Sequence, residues 1–563
     1  MDFIIFFLTF YLFLLSVIGY GIMFQNLCFG TMESMNDQNV IYIGFFGLFF
    51  IAFISLLSSF FVAHSFIHNI FLHFAGIVLF FFINVKDKKS YLKIIFLISL
   101  FLFSALLISK THDDFSYYHL PFTKYLTEQK VIFGMSNLGH GYKLLSSLFF
   151  LNSTFYIPFV EYFSFHFSLL YFLIFFNFFL FREIFSKENN DVIKFLYLFA
   201  FCYFNLSFNR LSEFGTDKVG QILIVILVIK IFQYTCFEKR KLYINNILYL
   251  IPLLGFCISL KTYFIPYVLI GFTIIFINNN FQKNFLTIFK SKSFSFFVLF
   301  LLIYFSHHFV STGCLISPVN FTCFGDNLGW AEDSKSYKKL FVWLEQWSKG
   351  GASPNYQVDN PLEYIQNFNW LGNWIKTYFL TKILDQLGIM ILIFIVIFSM
   401  FGSISNIKKK TILNKKIIFF YGIIFTIFLF WFLNHPQLRY GGYAIVFLTL
   451  SIPVGLVFKK LSNNDFTKNN YKYLIILVIL IFNVKNINRV EKEFNRTDLY
   501  RFDNFPFYAT LQKDYISMKY SSNLTIYKTE GHCWGTPTPC TGGSLSKIRV
   551  KKHNGYYFIY KFK

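Results

Sequence analysis

Apolar runs long enough to cross a bilayer recur along the chain, at about 3–24, 40–63, 66–85, 91–109, 155–181, 192–208, 219–235, 244–259, 264–278, 294–312, 377–400, 417–433, 443–458 and 471–484. This pattern predicts an all-α polytopic membrane protein of about 13–14 transmembrane helices. Polar breaks divide the chain into N-terminal spans (1–109), a first large loop (110–154), a central bundle (155–312), a second large loop (313–376), C-terminal spans (377–484) and a tail (485–563). In the tail the pattern changes. Leu524–Tyr527 and Tyr556–Tyr560 read as strands, so a small α/β domain is expected there.

The second large loop predicts two amphipathic helices. One covers Ser334–Trp347, with Leu340, Trp343, Leu344 and Trp347 at helical spacing. The other starts at Asn360-Pro361-Leu362-Glu363, an N-cap, an N1 proline and an N3 acid, and carries Tyr364, Phe368, Trp370 and Trp374. Five of the seven tryptophans fall in this loop, and Trp favours the membrane–water boundary, so both helices are expected to lie on the bilayer surface.

Charge then orients the bundle. Only 14% of the 563 residues are charged, yet the net charge is +23. The excess sits in short linkers, Lys86–Lys89, Arg182–Lys194, Glu238–Lys241, Lys283–Lys292, Lys408–Lys416 and Lys459–Lys468, and the connections between them (110–154, 209–218, 260–263, 313–376, 434–442) are less basic. The positive-inside rule puts the first set in the cytoplasm and the second outside, which explains the basicity without a nucleic-acid partner. By parity the tail is outside. Parity also puts the first linker, with Glu33 and Asp37, inside against its acidic character, and Phe3–Phe24 reads as a retained span. The 85 phenylalanines fit codon bias in an AT-rich genome, so aromatic stripes carry little functional weight.

Four cysteines, Cys28, Cys202, Cys236 and Cys257, lie in or near spans. The others form two close pairs in polar segments, Cys314/Cys323 and Cys533/Cys540. Close pairing outside the membrane predicts disulfides in an oxidising compartment; zinc is the competing reading, but neither pair has C-x-x-C spacing.

The candidate chemistry gathers in the outer connections. Thr111-His112-Asp113-Asp114-Phe115-Ser116-Tyr117-Tyr118-His119 follows directly on a span. Two adjacent acids at the edge of a membrane are a functional signal, although acids also cap solvated helix ends. The same loop presents His140 between two glycines, and the next outer loop adds Glu213 and Asp217. Carboxylates converging from two loops would perturb one another or hold a divalent cation, Mg or Mn, with His112, Asp113 and Asp217 as ligands. Lys261 stands at another outer end, where snorkelling also explains it. Arg439 is the strong base of the last short outer connection and needs a phosphate or carboxylate partner.

An acidic pair opening a large outer loop of a multi-span protein resembles the GT-C glycosyltransferases. The resemblance implies a sugar taken from a polyprenyl-phosphate carrier at the outer face of a bacterial inner membrane and passed to a glycan or lipid acceptor. It implies Asp113 or Asp114 as base, Glu213/Asp217 as a second acidic loop, Arg439 (with Lys261 or a cation) at the carrier phosphate, and His119 and His140 beside the substrate. Tyr117, Tyr118 and Trp330 are candidates to stack on sugar rings. More closely, the His-Asp-Asp…Tyr-His, Asn-Pro…Asn-Trp and Cys-Trp…Pro-Cys motifs resemble a set of large uncharacterised bacterial inner-membrane proteins. A polysaccharide polymerase or ligase, and a lipid-linked glycan transporter, are the competing expectations.

Overall fold

A computed structural model describes residues 3–107, 114–208, 215–237, 243–276, 281–351, 358–401, 414–461, 468–496 and 513–562. Each apolar run coincides with helix. Among the described residues nine helices are long and apolar enough to span a membrane, from Phe3–Phe29 to Tyr471–Asn495. Others are shorter, such as Phe66–Phe82.

The N-terminal helices pack by close approach of their backbones. A Cβ on Gly19 of the helix Phe3–Phe29 would fall 1.9 Å from the Gly76 carbonyl oxygen, and one on Gly47 would fall 1.8 Å from that of Val17. Small residues at such crossings let dispersion and weak polar contacts hold helices together where the surrounding lipid is as apolar as the side chains. Phe3–Phe29 is thereby seated against both Ile43–Ser58 and Phe66–Phe82.

At one end of the bundle the acidic first linker meets two of the basic linkers. Lys86 N–H donates to Glu33 O at 2.9 Å, and the Arg182 guanidinium donates to Asn36 O at 2.7 Å. At the other end the first and second large loops and the tail lie together.

Two expectations need correction. In the second loop the helix Ser334–Lys349 forms, but its apolar face buries Tyr337, Leu340 and Leu344 against the Cys314–Cys323 disulfide rather than against lipid. The second helix is capped by Asn360 as expected, but it stops at Ile365, and Asn367 and Phe368 turn the chain with positive φ. Trp370 and Trp374 are buried where the next long helix begins, and Trp330 is buried on Phe133 and Phe558, so these three indoles fill protein interior rather than the bilayer surface.

The tail is described at 485–496, the end of the helix Lys468–Arg496, and at 513–562, which holds the expected strands and a short 3-10 turn. Strands β1 (Tyr515–Ser521), β2 (Leu524–Thr529) and β3 (Cys540–Thr541) form one sheet, antiparallel between β1 and β2 and parallel between β2 and β3. Strands β4 (Ile548–His553) and β5 (Tyr556–Lys561) form a hairpin whose turn residues Asn554 and Gly555 both have positive φ, the Asn-Gly turn that matches strand twist. Phe133 of the first large loop pairs with β5, its N–H donating to Tyr557 O and its carbonyl accepting from Ile559 N–H, both at 2.9 Å.

Candidate functional site

All five outer connections and the tail line one cavity of about 350 Å³, to which they bring Asp114, His140, Thr216, Lys261, Arg439 and His532. Each side chain is set by its own local structure. Asp114 immediately precedes a π-helical turn, Phe115–His119, which leads into the helix Leu120–Glu128 with Pro121 in its first turn, where a missing N–H costs nothing. Asp217 stands in the first turn of Thr216–Cys236, where the helix dipole favours an acid. Lys261 is the extended residue between the helix Leu250–Leu260 and the 3-10 stretch Thr262–Val268.

Arg439 sits in a single 3-10 turn, Leu438–Tyr440, closed by Gly441 at φ 89°, a conformation that suits glycine. Four side chains fasten this turn. Trp374 Nε1 donates to Pro436 O and Trp431 Nε1 to Gln437 O, both at 2.9 Å. Tyr378 Oη accepts from Leu438 N–H at 2.9 Å, and Gln221 Nε2 donates to Leu438 O at 3.0 Å. The buried tryptophans of the outer region therefore aim an arginine.

The charges alternate. Arg439 bonds Asp114 Oδ2 through one terminal nitrogen at 2.5 Å and Asp217 Oδ2 through Nε at 3.1 Å, and Lys261 holds Asp217 Oδ1. Lys261 also donates to Arg439 O at 3.3 Å. Two carboxylates and two cations cancel, and each side chain is at most a quarter exposed. The guanidinium lies 5.6 Å from the Trp347 ring and the Lys261 ammonium 4.7 Å from Tyr440, so aromatic faces support both cations. Burial lowers the Lys261 pKa, and Asp217 opposes that shift.

Asp114, Asp217, Lys261 and Arg439 thus meet; Asp114, Lys261 and Arg439 line the cavity with His140, Tyr117 and Tyr118, and Asp217 holds the two cations without lining it. His119 does not line the cavity. It is buried with its ring centroid 5.3 Å from that of Phe149. Trp330 is likewise remote. His112, Asp113 and Glu213 lie outside the described residues. Of the expected metal set only Asp217 is described, and both its oxygens are held by cations. Lys261 is an ion-pair partner rather than a snorkelling lysine.

His140 packs edge-on to Trp343 at 5.5 Å. Burial, then Lys143, hold its pKa down at about 4 from 6.5, with Asp114 opposing. The folded protein therefore keeps this imidazole neutral at pH 7. The unfolded chain takes up the proton first as pH falls from 6.5 towards 4, so stability is lost through that window. His140→Gln is expected to flatten the acid-side decline of the melting temperature between pH 6.5 and 4 and to leave it unchanged at pH 7.5, as measured in nanodiscs.

The tail contributes a residue that the sequence did not mark. His532 Nδ1 hydrogen-bonds Ser116 Oγ at 2.9 Å, its ring lies 5.2 Å from Tyr117, and the next-but-one residue, Trp534, donates its N–H to Ser116 O at 3.0 Å. Cys533 and Cys540 are disulfide-bonded around this loop. Lys124 donates to Gly535 O at 2.9 Å, Glu128 accepts from Thr538 Oγ1 at 2.6 Å, and Tyr142 donates to Cys540 O at 3.0 Å. Closing so short a loop contributes about 2–3 kcal/mol to its order. Cys533→Ser should free this loop and lower any activity of the cavity by roughly tenfold, without altering insertion of the spans; an activity assay alongside protease protection checks both.

Residues 3–447 match the family described as Domain of unknown function (DUF8201), and the chain belongs to that family. Comparison with curated proteins and with solved structures yields no match.

Proposed function

We propose that this DUF8201 member is a membrane glycosyltransferase that takes a sugar from a polyprenyl-phosphate carrier at the cavity face, the periplasmic side of a bacterial inner membrane, and delivers it to a cell-surface glycan or lipid. The observation that carries this reading is the Asp114–Arg439–Asp217–Lys261 chain of charges, three members of which, Asp114, Arg439 and Lys261, line one cavity. The acceptor hydroxyl oxygen attacks the anomeric carbon, the bond from that carbon to the carrier phosphate oxygen breaks, and the hydroxyl proton passes to Asp114. Arg439 and Lys261 take the charge that develops on the departing phosphate, the place a divalent cation would otherwise fill. A carboxylate bonded to a guanidinium is a poor proton acceptor. The incoming phosphate therefore has a second effect, since it draws Arg439 towards itself and frees Asp114 to act as base.

An apolar groove of about 440 Å³, lined by Trp374, Phe379, Phe428, Trp431, Val446 and Leu450, supports the same reading. Two of its walls, Trp374 and Trp431, hold the Arg439 turn, so a chain lying there brings its phosphate to that turn. A second reading, transport of a lipid-linked glycan, is favoured by one observation: Lys230 and Glu183 form a 2.8 Å ion pair buried in the bundle.

Purified protein in nanodiscs, given a polyprenyl-phosphate hexose and bacterial membrane extract as acceptor source, tests the proposal. Release of polyprenyl phosphate with transfer of the labelled hexose is expected. An intact donor, moved between leaflets but never cleaved, would instead establish transport.

A further inference from the structure

The bundle contains a second cavity at the end opposite the candidate site, with a volume of about 580 Å³. Asp217 and Lys230 share the helix Thr216–Cys236. Their separation in sequence puts them roughly 20 Å apart along its axis. The two cavities are therefore distinct.

The inner cavity has two unlike walls. One is polar and already organised. Lys230 pairs with Glu183, Asn189 Nδ2 donates to Glu183 Oε2 at 2.8 Å, and Gln233 Nε2 donates to Asn189 Oδ1 at 2.8 Å. Asn39 and Asn177 extend this wall. The other wall is apolar and comes from the membrane boundary. Leu97 and Phe101 of the helix Lys88–Leu102 line the cavity and are 43% and 50% exposed. Ile479 of Lys468–Arg496 completes it. Phe96 and Leu100 of the same helix are exposed too, so the cavity lies beside a helix at the edge of the bundle, in a stretch apolar enough to span a membrane. Ionisable groups at membrane depth are costly and face cavities that use them.

We infer that this inner cavity binds an amphiphile with a neutral, hydroxyl-rich headgroup, which enters sideways from the lipid past Leu97 and Phe101. The charges of the described lining balance, Lys230 and Arg182 against Glu183 and Glu188, so an anionic headgroup meets as much negative as positive charge there. Carboxylate and amide oxygens beside aromatic rings, Glu183, Asn189, Tyr42 and Tyr234, are the acceptors and faces that sugar hydroxyls and ring C–H groups use. The volume suits one such headgroup and the start of its chain. This site does not depend on the reading of the outer cavity.

The test is photolabelling of the full chain in phosphatidylcholine nanodiscs with an alkyl glucoside that carries a diazirine in its chain. Labelling is expected on Lys88–Leu102 and beside Ile479. Excess dodecyl maltoside should reduce it at least tenfold, whereas dodecyl phosphate and dodecanoate should not. Gln233→Leu should reduce it similarly. Leu97→Trp, at a lipid-exposed position away from the polar network, should block the entrance and reduce labelling in a protein that melts like the parent. Labelling spread evenly over lipid-facing helices, insensitivity to Leu97→Trp, or equal displacement by dodecyl phosphate would overturn the inference.

Discussion

Arg439→Lys should lower carrier-phosphate release by about 100-fold while the protein still folds and inserts. The loss follows from geometry. Arg439 uses Nε for Asp217 and a terminal nitrogen for Asp114, so a planar fork spans two carboxylates on different loops. A lysine ammonium is a point charge on a flexible stem and cannot present that fork. It also forfeits the contact with the Trp347 ring. Removing one aimed donor to a developing anion costs roughly 10²–10³ in rate. The effect on stability is smaller. Breaking a fully buried pair costs about 3–5 kcal/mol, but these side chains are about a quarter exposed, which brings each pair towards about 1 kcal/mol. A parental rate in Arg439→Lys, measured as polyprenyl phosphate released, would remove the arginine from the mechanism.

Much of the architecture is legible in the sequence because membranes impose strong rules. Apolar length set the helices, and Lys/Arg asymmetry sorted the connections into two ends. The acidic linker with Glu33 shows the strength of parity over local charge, since it meets Lys86 at the basic end despite its composition. The candidate site was half legible. Asp114, Asp217, Lys261 and Arg439 each stood out as charges at span edges, and they meet. The order in which they pair was not legible, because it depends on where four separate loops cross the bundle end.

Other features were hidden for identifiable physical reasons. Tryptophan spacing on an amphipathic helix looks the same whether the indole faces lipid or a neighbouring helix, and here Trp370 and Trp374 face protein. His119 and His140 sit in one loop, but only the π-turn decides that His119 points at Phe149 while His140 reaches the cavity. His532 was missed although its neighbours Cys533 and Trp534 drew notice. The signal was available: a polar residue beside a short disulfide loop is held still, and a rigid loop docked on another loop is where a side chain can be aimed. The depth of Lys230 is not legible in one sequence, because its partner Glu183 lies 47 positions away, on another helix.

The central claim is that the outer cavity is catalytic, and Asp114→Asn tests it most directly. The substitution keeps volume and one oxygen able to accept from Arg439, and removes only the charge and the capacity to take a proton. A positioned general base is worth roughly 10²–10⁴ in rate, so loss of about 1,000-fold is expected, with the melting temperature lowered only by the roughly 1 kcal/mol of the lost ion pair and with partial recovery of rate in Asp114→Glu. The measurement is single-turnover release of polyprenyl phosphate from a polyprenyl-phosphate hexose by the purified variants, side by side with the parent. The account predicts release by the parent and almost none by Asp114→Asn. Release by Asp114→Asn within threefold of the parent would contradict it.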